Sequence, residues 1–188
     1  MPMSRMSFHR VAICFALLLA TGAILAPAAP FLPLSLTDAA NTGFSDVEEG
    51  DRKGGWLDLG GNDLSVLPAG LLTVSSRLPF QILDSKKNPD RTCVVLGGPK
   101  RPYLPSRAEI RVDGKTGAAL YLLHGAAWCP PPQQQKMAGV LTVEYADGTG
   151  KEYHVRCGRD VGDWTKPDSY SNAARVWSAY NANTQVSL

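Results

Sequence analysis

Residues 118–164, AALYLLHGAAWCPPPQQQKMAGVLTVEYADGTGKEYHVRCGRDVGDW, constrain the fold more than any other stretch of the chain. They open with an apolar run, 118–123, of the length expected for a strand buried on both faces. A loop with Trp128, Cys129 and three consecutive prolines follows. Two alternating segments, 140–145 and 153–157, are then joined by Asp147-Gly148-Thr149-Gly150, which reads as a β-hairpin. Parity narrows its geometry. Leu141, Val143 and Tyr145 share one face of the first strand, and Tyr153, Val155 and Cys157 share one face of the second. A two-residue Asp-Gly loop would set Val143 against Glu152, so an odd-length loop is expected. Tyr145 should then oppose Tyr153, with Gly148 or Gly150 in the left-handed region. Thr142, Glu144, His154 and Arg156 form the outward, polar face.

The rest of the chain repeats this pattern of short apolar segments between turn signals. Strands are expected at 71–74, at 79–83 with Phe80 and Ile82 on one face, and at 93–96 as a compact buried strand. Residues 107–112 alternate cleanly, with Ala108, Ile110 and Val112 inward. Residues 173–180 read as a strand or a short helix. Apart from that segment and the amino terminus, nothing shows sustained helical periodicity. The fold class is all-β, an antiparallel β-sandwich.

The amino terminus reads differently. Arg5, His9 and Arg10 precede an apolar run over 11–26, followed by small residues and prolines to 33. That is the pattern of a secretory signal peptide over 1–40, cut between 26 and 40. The run is too short and its flanks are wrong for a permanent membrane span, so the processed chain is expected to be secreted or periplasmic, with no membrane attachment. A polar entry segment, 41–54, then leads into a β-sandwich domain over 55–188. The processed chain of about 150 residues is one domain with room for a proper core. The 19 basic and 17 acidic residues of the full chain nearly balance and form no basic run, which removes the electrostatic footprint of a nucleic-acid binder. Three cysteines remain after processing. Cys93 and Cys129 are the expected disulfide pair, because parity turns Cys157 to the inner face of the hairpin; the alternative is three free thiols.

The stretch Trp56-Leu57-Asp58-Leu59-Gly60-Gly61-Asn62-Asp63-Leu64 concentrates hard oxygen ligands in a bendable loop. It reads either as a turn capped by Asx side chains or as a structural calcium site on Asp58, Asn62 and Asp63. Catalytic signals are absent: no Gly-x-Ser-x-Gly elbow occurs, and Glu144, Asp147 and Asp163 make no obvious acid pair.

The order Trp56-x-Asp58, Asn62-Asp63-Leu64, Leu67-Pro68-x-Gly70, Pro79-Phe80-x-Ile82, Cys93-Val94-Val95-Leu96, Leu120-Tyr121-x-Leu123-His124, Trp128, Tyr145-Ala146-Asp147-Gly148 and Asp163-Trp164 resembles a β-sandwich module of secreted bacterial proteins. That module occurs beside, or fused to, glycoside hydrolases and is similar to galactose-binding-like jelly rolls. The likeness covers about residues 55–180 and implies carbohydrate contact. The family often has a second tryptophan where this chain has Thr165. Its members commonly continue past the position of Tyr180 with strands that help close the sandwich, so an open sheet edge is expected here.

Sugar recognition by such a fold uses an exposed aromatic face with flanking hydrogen-bonding groups. Trp128, Trp164, Tyr103 and Tyr170 lie in or beside expected loops and are the candidate stacking residues. His124, at the end of the 118–123 run, is a candidate polar contact. Trp56 and Tyr121 read as core. The expected function is a secreted, non-catalytic carbohydrate-binding module associated with polysaccharide processing. The alternatives are a module that docks a secreted protein partner, or a fragment of a larger glycoside hydrolase.

Overall fold

Period-two alternation of apolar and polar residues sets the faces of the longer strands in this molecule. The structure is a computed structural model that describes residues 3–9, 17–20, 31–74, 78–112, 114–166 and 170–188, the first two segments as backbone alone. In chain order the strands are β1 (Met3–His9), β2 (Leu17–Ala20), β3 (Leu32–Leu34), β4 (Gly70–Thr73), β5 (Pro79–Ile82), β6 (Arg107–Arg111), β7 (Ala119–Leu122), β8 (Met137–Tyr145), β9 (Gly150–Arg156), β10 (Ser178–Tyr180) and β11 (Gln185–Ser187). The one helical element among the described residues is a 3-10 turn, Pro132–Gln134, inside the triple-proline loop. The fold is therefore all-β. No described helix is long and apolar enough to cross a membrane.

The strands form four small sheets, ordered β6-β1-β8-β9, β3-β2-β7, β4-β5 and β10-β11, with every pairing antiparallel. The β8–β9 hairpin has the odd loop that parity demands. Tyr145 N donates to Thr149 O at 2.8 Å and Gly148 takes φ 83°, leaving Ala146, Asp147 and Gly148 as the loop. The register differs from expectation. Gly150 is already a strand residue opposite Glu144, so Tyr153 faces Leu141 rather than Tyr145. Parity survives this slip because the shift is even, and Leu141, Val143, Val155 and Cys157 are all buried.

Other expectations need correction. β7 is an edge strand, not one buried on both faces, and Tyr121 on it is 37% exposed. Residues 173–180 contribute only the three-residue β10, paired with a β11 that no local pattern announced. Residues 93–96 are fully buried and extended but are not a ladder strand. Their backbone groups are satisfied another way. Thr42 O accepts from Cys93 N at 3.0 Å and Asn41 N donates to Cys93 O at 2.9 Å. The Asn41 amide then stands in for a neighbouring strand, accepting from Val95 N at 2.8 Å and donating to Val95 O at 2.9 Å.

That segment separates two apolar cores. Val94 and Leu96 face the first, with Leu34, Leu36, Ile110, Val112, Leu141, Val143 and Val155. Cys93 and Val95 face the second, with Phe44, Trp56, Leu57, Leu64, Phe80, Ile82, Trp164 and Val186. The stretch 41–54 is thus more than a polar approach: Phe44 is in the second core, and Gly43 lies so close to the Pro89 carbonyl that no Cβ fits.

Cys129 and Cys157 both face the first core and are bonded to each other, replacing the expected Cys93–Cys129 pair. Cys93 points into the second core, where its thiol donates to the Thr42 and Gly43 carbonyls at 3.4 and 3.6 Å.

Candidate ligand-binding site

The loop 46–63 is folded around carboxylates that serve backbone N–H groups. Asp46 accepts from Val47 N at 2.9 Å and Gly60 N at 2.7 Å. Asp58 accepts from Gly50 N at 2.9 Å and Arg52 N at 3.2 Å. Asp63 accepts from Asp46 N at 3.0 Å and from the Ser65 N–H and hydroxyl at 2.9 and 2.6 Å. These are the Asx-type bonds that let a buried loop of this polarity exist.

Of the expected calcium set, Asp58 and Asp63 are buried carboxylates of this loop. Asp58 also groups with Asp46 and Asp51, one oxygen of each lying within 4.8 Å of the others. Asp63 is committed to the loop, and Asn62 uses its N–H in a turn to Leu59 O. The grouping is electrostatically visible. Burial, together with the charges of Asp58 and Asp51, raises the Asp46 carboxyl above its ordinary value despite its two N–H bonds. Burial would raise Asp58 as well, but its bonds to Tyr103, Arg52 and Gly50 and the Arg101 charge bring it below the ordinary value.

Asp58 also links this loop to two aromatic residues. Its second oxygen accepts the Tyr103 hydroxyl, and the Arg52 guanidinium lies 5.4 Å from the Tyr103 ring centroid. Burial and that carboxylate push the Tyr103 phenol up to about 12. Arg101 donates through Nε to Leu57 O at 2.5 Å and through its guanidinium to Asp58 O at 2.8 Å. The same guanidinium stands 5.2 Å from the Trp128 ring centroid, a cation–π distance. Trp128 is 44% exposed and Tyr103 39% exposed. Arg52, Leu57, Asp58 and Trp128 all have φ between 57° and 72°, left-handed conformations that non-glycine residues rarely adopt. Local strain, two exposed rings and the Arg101 and Arg52 guanidiniums are thus linked through Asp58.

The remaining candidates are elsewhere. Trp164 is buried to 3% exposure, its ring edge-on to Trp56 at 5.5 Å, and so cannot stack on a ligand. A loop position did not expose it, because its N–H bonds Ala126 O at 2.8 Å and its carbonyl accepts from Ser187 N at 2.8 Å, which hold it in the second core. His124 and Tyr170 do come together, lining a cavity of about 980 Å³ with Leu120, Leu122, Tyr153 and Asp160. The Tyr170 hydroxyl donates to Lys166 O at 3.3 Å, and its ring fills the space where a side chain on Gly162 would sit. Burial holds the His124 imidazole down to about 4, against the weaker upward pull of Asp160.

That depression makes a pH prediction. The unfolded chain binds the His124 proton near its ordinary pKa of 6.5, and the folded chain does so only near 4. The His124 contribution to stability is therefore expected to fall as pH drops from 6.5 to 4 and then to level off, by at most about 3 kcal/mol. Urea unfolding of the parent and of His124→Gln checks this; the variant should lose the slope in that window.

Sequence reasoning found Trp128 and Tyr103 but missed Arg101, Arg52, Asp46 and Asp51, whose partners are remote in the chain or hidden in loop geometry. Comparison with known proteins finds no matching family model, no matching curated protein and no matching solved structure.

Proposed function

We propose that this chain is a secreted, non-catalytic β-sandwich of galactose-binding-like form that binds carbohydrate on the face carrying Trp128, Arg101, Tyr103 and Arg52. The observation that supports this most is the pair of exposed rings held in place by charged side chains. The apolar face of a pyranose stacks on such a ring, and guanidinium and carboxylate groups at its margin satisfy the hydroxyls. Rigidity favours it, because groups already fixed by Leu57, Asp58 and each other lose little freedom when a sugar docks.

Of the four tryptophans, Trp128 is the most exposed, so the intrinsic fluorescence reports on the proposed site. Titration with a panel of plant and algal oligosaccharides is expected to give a saturable shift for one sugar class. Trp128→Ala should then weaken binding about thirty-fold, roughly 2 kcal/mol. Silence across the panel from folded protein overturns the reading and favours docking of a secreted partner on the outer edge of β9, where Tyr153 is exposed. The titration is run with and without calcium. A calcium-dependent rise in melting temperature, abolished by Asp51→Asn, assigns Asp46, Asp51 and Asp58 to a structural ion. No rise leaves Asp46 and Asp58 to the backbone bonds already described.

A further inference from the structure

Two strands in the interior of the sheets come from the segment whose composition reads as a leader. β1 lies between β6 and β8, and β2 lies between β3 and β7. Among the described residues β6 pairs only with β1, while β3 and β7 pair only with β2. Without residues 3–20, these three strands have no ladder partner and β8 keeps only β9.

The register shows how closely the segment suits its positions. Met6 aligns with Ile110 on one side and Val143 on the other, and Phe8 aligns with Ala108 and Leu141. Ile110, Val143 and Leu141 are buried and Ala108 is packed against them. The alternate rows are polar: Arg5 aligns with Arg111 and Glu144, and Ser7 with Glu109 and Thr142. Leu17 likewise aligns with the buried Leu34 and with Leu122, while Leu18 aligns with the exposed Pro33 and Tyr121. In β1 a one-residue slip would reverse every row, so its alternation matches both neighbours at once; β2, Leu17–Ala20, is apolar throughout.

We propose that β1 and β2 act as a donated strand pair, seated in two strand-acceptor slots built by the rest of the chain and able to fill them without a covalent link to it. The β6–β8 gap is a binding site for an extended segment that alternates apolar and polar residues, and the β3–β7 gap for one that is apolar throughout. Removing the amino-terminal segment vacates both. The energetics favour an obligatory occupant, because each slot is flanked by two sets of backbone donors and acceptors, and the first by apolar rows already in the core.

The test inserts a site-specific protease sequence after Gly22 of the full chain, so that the purified, folded protein can be cut there. The cut segment is expected to stay bound through gel filtration. Equally supportive is its release with loss of cooperative unfolding, provided that excess synthetic peptide of residues 1–22 restores the transition. A peptide carrying Met6→Pro, which removes a ladder donor from β1, should restore it at least ten-fold more weakly. Release that leaves the melting temperature unchanged overturns the proposal, as does loss of folding that no peptide restores, or rescue by the proline peptide equal to that of the parent.

Discussion

Replacing Cys129 and Cys157 together by alanine is expected to lower stability by about 3–4 kcal/mol. The cross-link spans 28 residues, and the entropy it removes from an unfolded chain of that loop length accounts for the figure. For a domain of this size the melting temperature should drop by about 10 °C. Two further effects are local. Cys129 follows Trp128, which is held in a left-handed conformation with φ 57°, so cutting the bond frees one flank of a strained residue. Loss of the sulfurs also leaves small voids in the first core, where Val161 and Ala126 pack. Chemical denaturation gives the stability, and the emission maximum of Trp128 gives the local change. A variant as stable as the parent would show that the loop 126–132 is fixed without the cross-link.

The second large effect belongs to Asp163. Its carboxylate is buried and accepts from Cys129 N at 3.0 Å, Thr165 N at 3.1 Å and the Thr165 hydroxyl at 2.7 Å. Asp163→Asn turns one of the two accepting oxygens into a donor. Either Cys129 N–H or the Thr165 groups then face an amide that cannot accept, and a buried donor goes unmet. A cost of about 3 kcal/mol is expected, because the lost bonds are charge-assisted and the orphaned group stays desolvated. Asp163 and the disulfide grip the same residue from opposite sides. Their effects should therefore fall short of additive, with a coupling of about 1 kcal/mol in a double-mutant cycle by urea denaturation. Strict additivity would mean that the two anchors act on independent parts of the loop.

Period two was the most legible signal in the chain. It located β6, β8 and β9 to within a few residues and placed Ile110, Val112, Leu141, Val143 and Val155 inward. Parity called for a left-handed glycine at 148 or 150, and the residue that adopts it is Gly148. Register did not follow from parity, because it depends on whether Gly150 joins the strand, and glycine has no side chain to declare a face. The 93–96 segment was read as a strand since its apolar content is right, but its partner is the backbone and side-chain amide of Asn41, more than fifty residues earlier. The disulfide was misassigned for a related reason. Parity did turn Cys157 inward; that Cys129 reaches the same core depends on how the proline loop folds back.

The candidate site divides in the same way. Loop aromatics could be found by position, yet exposure separates Trp128 from Trp164, and nothing adjacent to either residue encodes it. The bonds that give the site its shape, Arg101 to Asp58 and Tyr103 to Asp58, join residues 43 and 45 positions apart. No local pattern carries contacts of that range.

Because the half-cystine at 129 adjoins the most exposed indole, the oxidation history of a preparation should be written into its optics. A batch made under reducing conditions and one allowed to oxidise would have the same mass to within two hydrogen atoms, yet differ in the colour and polarisation of their fluorescence. A sugar assay that reads that indole would then compare two different starting materials. Thiol titration before each measurement would tell them apart.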